Sequence, residues 1–218
     1  TLVHWSDTNS MLVNQCKTKE MIVHFGKKTI DSVVPIAING VNIERVNNFK
    51  LLGVVFSSDL SWDNHVQYML GKAAKRIYCI LYLVRARVNQ ADIVIVYCSL
   101  IRSILEYACP VWHPGLSKKQ SSDIEKVQKR CLKLIYPTLS YNEALKEAHL
   151  ETLSDRREKQ TQKLFQEMKR PDHPLHELLP LRDEGTRTTR VTYPYLIPVA
   201  KPTRYGRGFI PYCISRRY

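Results

Sequence analysis

At Asp63 the spacing of the apolar residues changes from two to about 3.6, and this one change limits the chain to a small strand region followed by a larger helical one. Downstream, Val66, Met69, Leu70, Ala73, Ile77, Ile80, Leu81 and Val84 mark one face of a long helix. Ile93, Tyr97, Leu100, Ile101, Ile104, Leu105 and Ala108 mark a second, and Ile124, Val127, Cys131, Leu134 and Ile135 a third. Pro110 and Pro114 are expected to end the second helix, and Ser121 or Ser122 to cap the third. Weaker amphipathic text covers residues 141–149 and 154–169, the latter so polar that a surface helix is expected. The expectation for residues 63–170 is a helical bundle.

Upstream, residues 10–19 read as a helix, and Met21, Val23 and Phe25 alternate with Ile22 and His24 as a half-buried strand would. Residues 33–38, then Asn39-Gly40, then residues 41–46 predict a hairpin with a type I′ turn, since Asn and Gly tolerate positive φ. Pro35 lacks a donor and suits an edge strand, and a further strand is expected over residues 49–56. After Pro171 come Pro174, Pro180, Pro194, Pro198, Pro202 and Pro211 without a sustained period, which reads as an extended tail. The fold class is therefore α+β: a strand and hairpin platform (1–62), a helical bundle (63–170) and an extended tail (171–218).

Charge is concentrated in the bundle. Of 33 basic and 20 acidic residues, residues 1–62 hold 6 and 5, residues 63–170 hold 19 and 11, and residues 171–218 hold 8 and 4. Lys126, Lys129, Arg130 and Lys133 stand opposite the apolar stripe of the third helix. Lys72, Lys75 and Arg76 lie on the first, with Lys118 and Lys119 in the loop before the third. Such a surface suits a nucleic-acid backbone, whose counterions are released as cations dock on phosphates; a solvated, solubilising face is the competing reading. In the tail Arg204, Tyr205, Arg207, Phe209, Tyr212, Arg216, Arg217 and Tyr218 interleave in a way that suits stacking on unpaired bases and equally suits disorder.

Devices of catalysis are not found in the text. There is no phosphate-cradling glycine loop, no G-x-S-x-G elbow, no H-E-x-x-H and no adjacent Asp pair of the kind that holds two Mg²⁺ ions. Six scattered cysteines without a CxxC pair read as reduced thiols within a cell, and Cys109 with His113 lacks the second pair that a zinc site needs. Arg102 and Glu106 form an i,i+4 pair expected at the bundle surface. No uninterrupted apolar run approaches the roughly 20 residues of a spanning helix, and the opening at Thr1 without a leader suggests a fragment.

Two stretches are more specific when read together. Asn14-Gln15-Cys16-Lys17-Thr18-Lys19-Glu20-Met21 resembles the N-x-x-K-T-x-x-M segment of reverse transcriptases of non-LTR (LINE-type, jockey and CR1-like) retrotransposons. Phe49-Lys50-Leu51-Leu52-Gly53-Val54, with Leu60, Trp62 and His65 downstream, is similar to that family's F-K-Y-L-G block and its L-x-W-x-x-H continuation. Ile101-Arg102-Ser103-Ile104-Leu105-Glu106-Tyr107-Ala108 with Val111-Trp112 resembles the helical thumb, and residues 175–181 and Phe209-Ile210-Pro211-Tyr212 resemble the region after it.

The resemblance implies palm motif D, the primer grip (motif E) and a thumb, with the family's paired-Asp motif upstream of the given residues. It implies an RNA template and DNA primer duplex as partner, and Mg²⁺ only in a complete parent enzyme that also carries the rest of palm and fingers; the short apolar runs leave no membrane expected as a partner. Lys17 aligns with the motif D lysine, an auxiliary proton donor in some polymerases, against the plainer reading of a surface lysine. Phe49, Lys50, Leu52 and Gly53 fall in the grip, Gly53 at a tight bend. Trp62 and Trp112 are expected as core anchors. The chain alone is expected to be inactive, and a non-enzymatic nucleic-acid or protein interaction module derived from such an element is the alternative.

Overall fold

The computed structural model describes residues 2–24, 33–180, 195 and 203–216, without the side chains of Thr203 and Arg204. It is α+β and divides into two compact units, Thr1–His65 and Val66–Tyr218.

The first unit opens with α1 (Leu2–Thr8) and continues through β1 (Lys19–Glu20), β2 (Ala37–Ile38), β3 (Val41–Asn42), β4 (Glu44–Arg45), β5 (Asn48–Leu51) and β6 (Val54–Ser57). The helix thus precedes the expected residues 10–19, where Ser10 turns with φ 54° and Thr18 Oγ1 donates to the Asn14 carbonyl. Local side-chain bonds of this kind compete with helix. The expected strand over residues 21–25 is shifted to β1, and Phe25 lies outside the described residues.

Glu20 explains β1. Its buried carboxylate accepts from Arg45 Nη2 at 3.0 Å and from the Ile36 N–H at 3.2 Å, and β1 pairs with β4 in parallel, Lys19 opposite Glu44. The hairpin at Asn39-Gly40 forms as expected, with φ of 50° and 77°, though only β2 and β3 pair antiparallel around it. The strand expected over residues 49–56 is instead a second hairpin: Leu52 (φ 46°) and Gly53 (φ 86°) reverse the chain, and β5 pairs with β6 from Asn48↔Ser57 to Leu51↔Val54. Glycine makes the second turn position easy; the exposed Leu52 holds positive φ, which side chains disfavour. Trp62 packs on Phe56 and His65, with ring centroids 5.8 and 6.1 Å away.

The second unit is helical. α2 (Asp63–Arg85) carries the chain into it and buries Val66, Met69, Ala73, Ile77 and Ile80, as the period predicts. α3 (Gln90–Tyr97) runs through a π-helical turn, Cys98–Arg102, into α4 (Ser103–Glu106). Pro110 starts a helix instead of ending one: Ala108 turns with φ 50°, and α5 (Cys109–Trp112) carries the proline in its first turn, where its missing N–H is no loss. Among the described residues Gln90–Gly115 is long and apolar enough to cross a membrane by length and composition, although polar residues interrupt its apolar runs. Ile93, Tyr97, Ile101, Leu105, Cys109 and Trp112 within it are buried in the bundle, packed chiefly on the helices Lys118–Ile135 and Leu153–Met168.

α6 (Lys118–Ile135) is capped by Ser117 in a reciprocal box with Gln120, so the cap lies before the expected serines, and Lys118 and Lys119 belong to the first helical turn, not to a loop. α7 (Tyr141–Glu147) follows, capped by Ser140. α8 (Leu153–Met168) covers the segment expected at the surface, yet its Leu153, Arg157, Thr161, Phe165 and Met168 are buried. The expected extended tail is partly helical. After α9 (Thr203–Gly206), α10 (Phe209–Ser215) packs Cys213 and Ile214 against Phe165 and Tyr195. Tyr212 Oη donates to Glu158 Oε2 at 2.7 Å, an oxygen that also bonds His113 Nε2 at 2.7 Å. Arg217 and Tyr218 lie outside the described residues.

Candidate functional site

A buried polar spine fixes which way each helix faces. Gln128 of α6, fully buried, accepts from the equally buried Tyr97 Oη of α3 at 2.6 Å and donates to Tyr141 Oη at 2.9 Å and the Glu151 carbonyl at 3.0 Å. Glu125 is turned inward too, accepting from the Leu153 N–H at 3.2 Å and from Tyr141 Oη. With Gln128, Ile124, Cys131, Leu132 and Ile135 inside, the opposite side of α6 is committed to solvent.

On that side stand Lys118, Lys119, Lys126, Lys129, Arg130 and Lys133, all exposed. At 3.6 residues per turn they fall within an arc of about 120°, and at 1.5 Å per residue they run along roughly 22 Å of helix. That length matches about six nucleotide steps of a strand at roughly 3.4 Å each. Asp123 is the carboxylate beside this arc, and Lys126 Nζ lies 2.7 Å from it; the ammonium holds that carboxyl below its ordinary range. Lys129 sits 5.0 Å from the Tyr141 ring centroid, and Lys133 Nζ donates at 2.7 Å to the Pro137 carbonyl past the helix end. These contacts orient three of the cations without neutralising Lys129 or Lys133.

The other sequence-picked residues are not all equivalent. Arg76 Nη1 donates at 3.0 Å to the Leu100 carbonyl in the π-helical turn, tying α2 to that segment. Lys72 lies 5.4 Å from the Tyr68 ring centroid, and Lys75 is exposed on the same helix. Phe49, Lys50, Leu52 and Gly53 are brought together by the β5–β6 hairpin in the first unit. Lys17, also in that unit, sits in a turn, its N–H donating to Asn14 Oδ1 at 3.0 Å.

Sequence reasoning missed the charged interior built by α8. Glu106 is mostly buried and receives Arg156 in a bidentate pair (2.5 and 3.1 Å) made across helices; the expected i,i+4 pair with Arg102 is present at 4.0 Å but is half-buried instead of at the surface. Arg157 is fully buried, donates Nη2 to Ser121 Oγ at 3.1 Å and packs over Trp112, 5.9 Å from its ring centre. Burial lowers the pKa of its guanidinium. The i,i+4 recurrence of Leu153, Arg157, Thr161 and Phe165 was the available signal, hidden because two of the four letters are polar.

Trp112 is buried and donates Nε1 to the Tyr107 carbonyl at 2.9 Å, a core anchor as expected. Cys109 Sγ lies 3.2 Å from Gln160 Oε1, and burial pushes its thiol up to about 12; His113 is committed to Glu158. Among the described residues no three His, Cys, Asp or Glu side chains gather as a metal would need. An apolar cavity of about 530 Å³ lies between α5, α8 and α10, lined by Val111, Leu164, Leu175, Leu178, Tyr205 and Phe209 among others. Compared with protein-family models, curated proteins and solved structures, the chain matches none of them.

Proposed function

We propose that the chain is the primer- and template-holding part of an RNA-directed DNA polymerase of the non-LTR retrotransposon type, gripping the duplex backbone and leaving nucleotide transfer to carboxylates that it does not itself carry. The observation that carries this reading is the outward face of α6, where six cations share one arc and Glu125 is turned into the bundle. Cations along one helix face neutralise phosphates and read no base, which is what holding a duplex of any sequence requires. The reading is supported by the β5–β6 hairpin, which carries the residues of the grip assigned by resemblance and exposes Leu52 at its turn. Lys17 belongs to this reading only as an auxiliary.

A second reading is a non-enzymatic interaction module derived from such an element, and the apolar cavity beside α10 favours it. Titration of an RNA–DNA duplex at several salt concentrations separates the two. The polymerase-part reading expects sequence-independent binding with a slope of several units in log K against log salt, about 0.9 per phosphate contact. A flat plot refutes it.

A further inference from the structure

We infer that the outward face of α2 is a stacking platform for an unpaired nucleic-acid strand, distinct from the phosphate-gripping face of α6; this rests on the nucleic-acid reading above. Tyr78 and Tyr82, one turn apart, are 66% and 63% exposed, and neither hydroxyl is hydrogen-bonded to another described residue. The two rings rise about 6 Å from one to the next along the helix. Between Asp63 and Asp92 the sequence holds no acidic residue, while Lys72, Lys75, Arg76, Arg85 and Arg87 all fall there. Lys75 stands one turn before Tyr78, and Lys72 already lies over the ring of Tyr68, so cations and rings share this side of the helix.

The contrast with α6 decides what kind of strand fits. The exposed arc of α6 is cationic and carries no aromatic residue, so it can hold phosphates but has nothing to place against a base. Exposed rings gain from a base only when its face is open, which a duplex denies and a single strand offers. The occupant is a polyanion and not an apolar protein helix, because the exposed positions beside the tyrosines are Gly71, Lys72, Ala74, Lys75 and Cys79, while the nearest large aliphatic side chains, Leu81 and Leu83, lie to either side and are only half-exposed.

The test compares a short oligouridine with an RNA duplex of equal length. Tyr78→Ala with Tyr82→Ala is expected to weaken oligouridine binding by about tenfold or more, from the loss of two stacking contacts, and to change duplex binding by less than about twofold. Tyr78→Phe with Tyr82→Phe keeps the rings and is expected to bind oligouridine as the parent does. A second readout needs no substitution: oligouridine is expected to slow alkylation of the exposed Cys79 thiol, mapped by mass spectrometry, several-fold more than the duplex does.

Equal losses for both ligands, no loss for either, or an unprotected Cys79 would each overturn the platform. If the parent still binds duplex with the expected salt dependence, the proposed function stands while this inference falls. A parent chain that binds neither ligand overturns both, and a face that then captures only protein belongs to the second reading.

Discussion

Replacing Gln128 by Leu tests the element that orients the cationic face. Gln128 makes three hydrogen bonds from a fully buried position, and one of its partners, Tyr97 Oη, is as buried as itself. Gln128→Leu strands that hydroxyl in an apolar core, which costs about 1 to 3 kcal/mol, and removes two further bonds worth roughly 0.5 to 1 kcal/mol each. Tyr141 Oη keeps its bond to Glu125, so its loss is the smaller one. The expected destabilisation is about 3 kcal/mol. Tyr97→Phe alone strands only Gln128 Oε1 and is expected to cost about 1 to 2 kcal/mol.

The double variant places Leu against Phe with neither group orphaned, so its loss should fall short of the sum by about 1 to 2 kcal/mol. Urea unfolding followed by circular dichroism on all four proteins measures this coupling. Additivity within about 0.5 kcal/mol would refute the reasoning, because it would mean that the hydroxyl and the amide do not depend on each other.

Three further outcomes are expected. The 218-residue chain incorporates no nucleotide onto a primed RNA template with Mg²⁺ or Mn²⁺, since its sequence offers no paired Asp; incorporation above a no-protein control would contradict this. Burial holds the His65 pKa below 6.5, and its Nδ1 accepts the Val55 N–H at 3.3 Å, so the neutral ring is the folded form. The native state then binds fewer protons than the unfolded one, and the first unit loses stability as pH falls below 6.5 toward the folded pKa; His65→Gln should flatten that dependence in pH-series unfolding. In native alkylation Cys16 and Cys79 react first, whereas Cys109, Cys131 and Cys213, buried and pushed up to about 12, react only on unfolding; early labelling of any of these three would count against the core as described.

What could be read from sequence depended on whether inward positions were apolar. α2 was legible because Val66, Met69, Ala73, Ile77 and Ile80 keep a helical period without a breaker. α8 was not, because Arg157 and Thr161 occupy core positions and made a central helix look like a surface one. The second hairpin was hidden because a leucine, which ordinarily avoids positive φ, takes the first turn position ahead of Gly53. α10 was hidden by Pro211, which suits a first helical turn as well as a tail.

The cations of α6 were readable as a face, but not their local partners. Asp123 beside Lys126 and the Pro137 carbonyl beside Lys133 depend on where the helix starts and stops, and the sequence reading placed the cap later, at Ser121 or Ser122.

If the proposed function holds, duplex binding comes from this one face of α6 and not from net charge. Neutralising Lys126, Arg130 and Lys133 together should lower the salt slope on an RNA–DNA duplex by about 2 units. Three contacts would give about 2.7, and Asp123, released from Lys126, already offsets part of one. The charge-matched control neutralises Lys159, Lys163 and Arg170, exposed cations that lie beside Glu151, Glu167 and Asp172. That control is expected to move the slope by less than about half a unit. Equal changes in the two triple variants would show that binding follows net charge alone, and the assignment of α6 as the gripping face would fall.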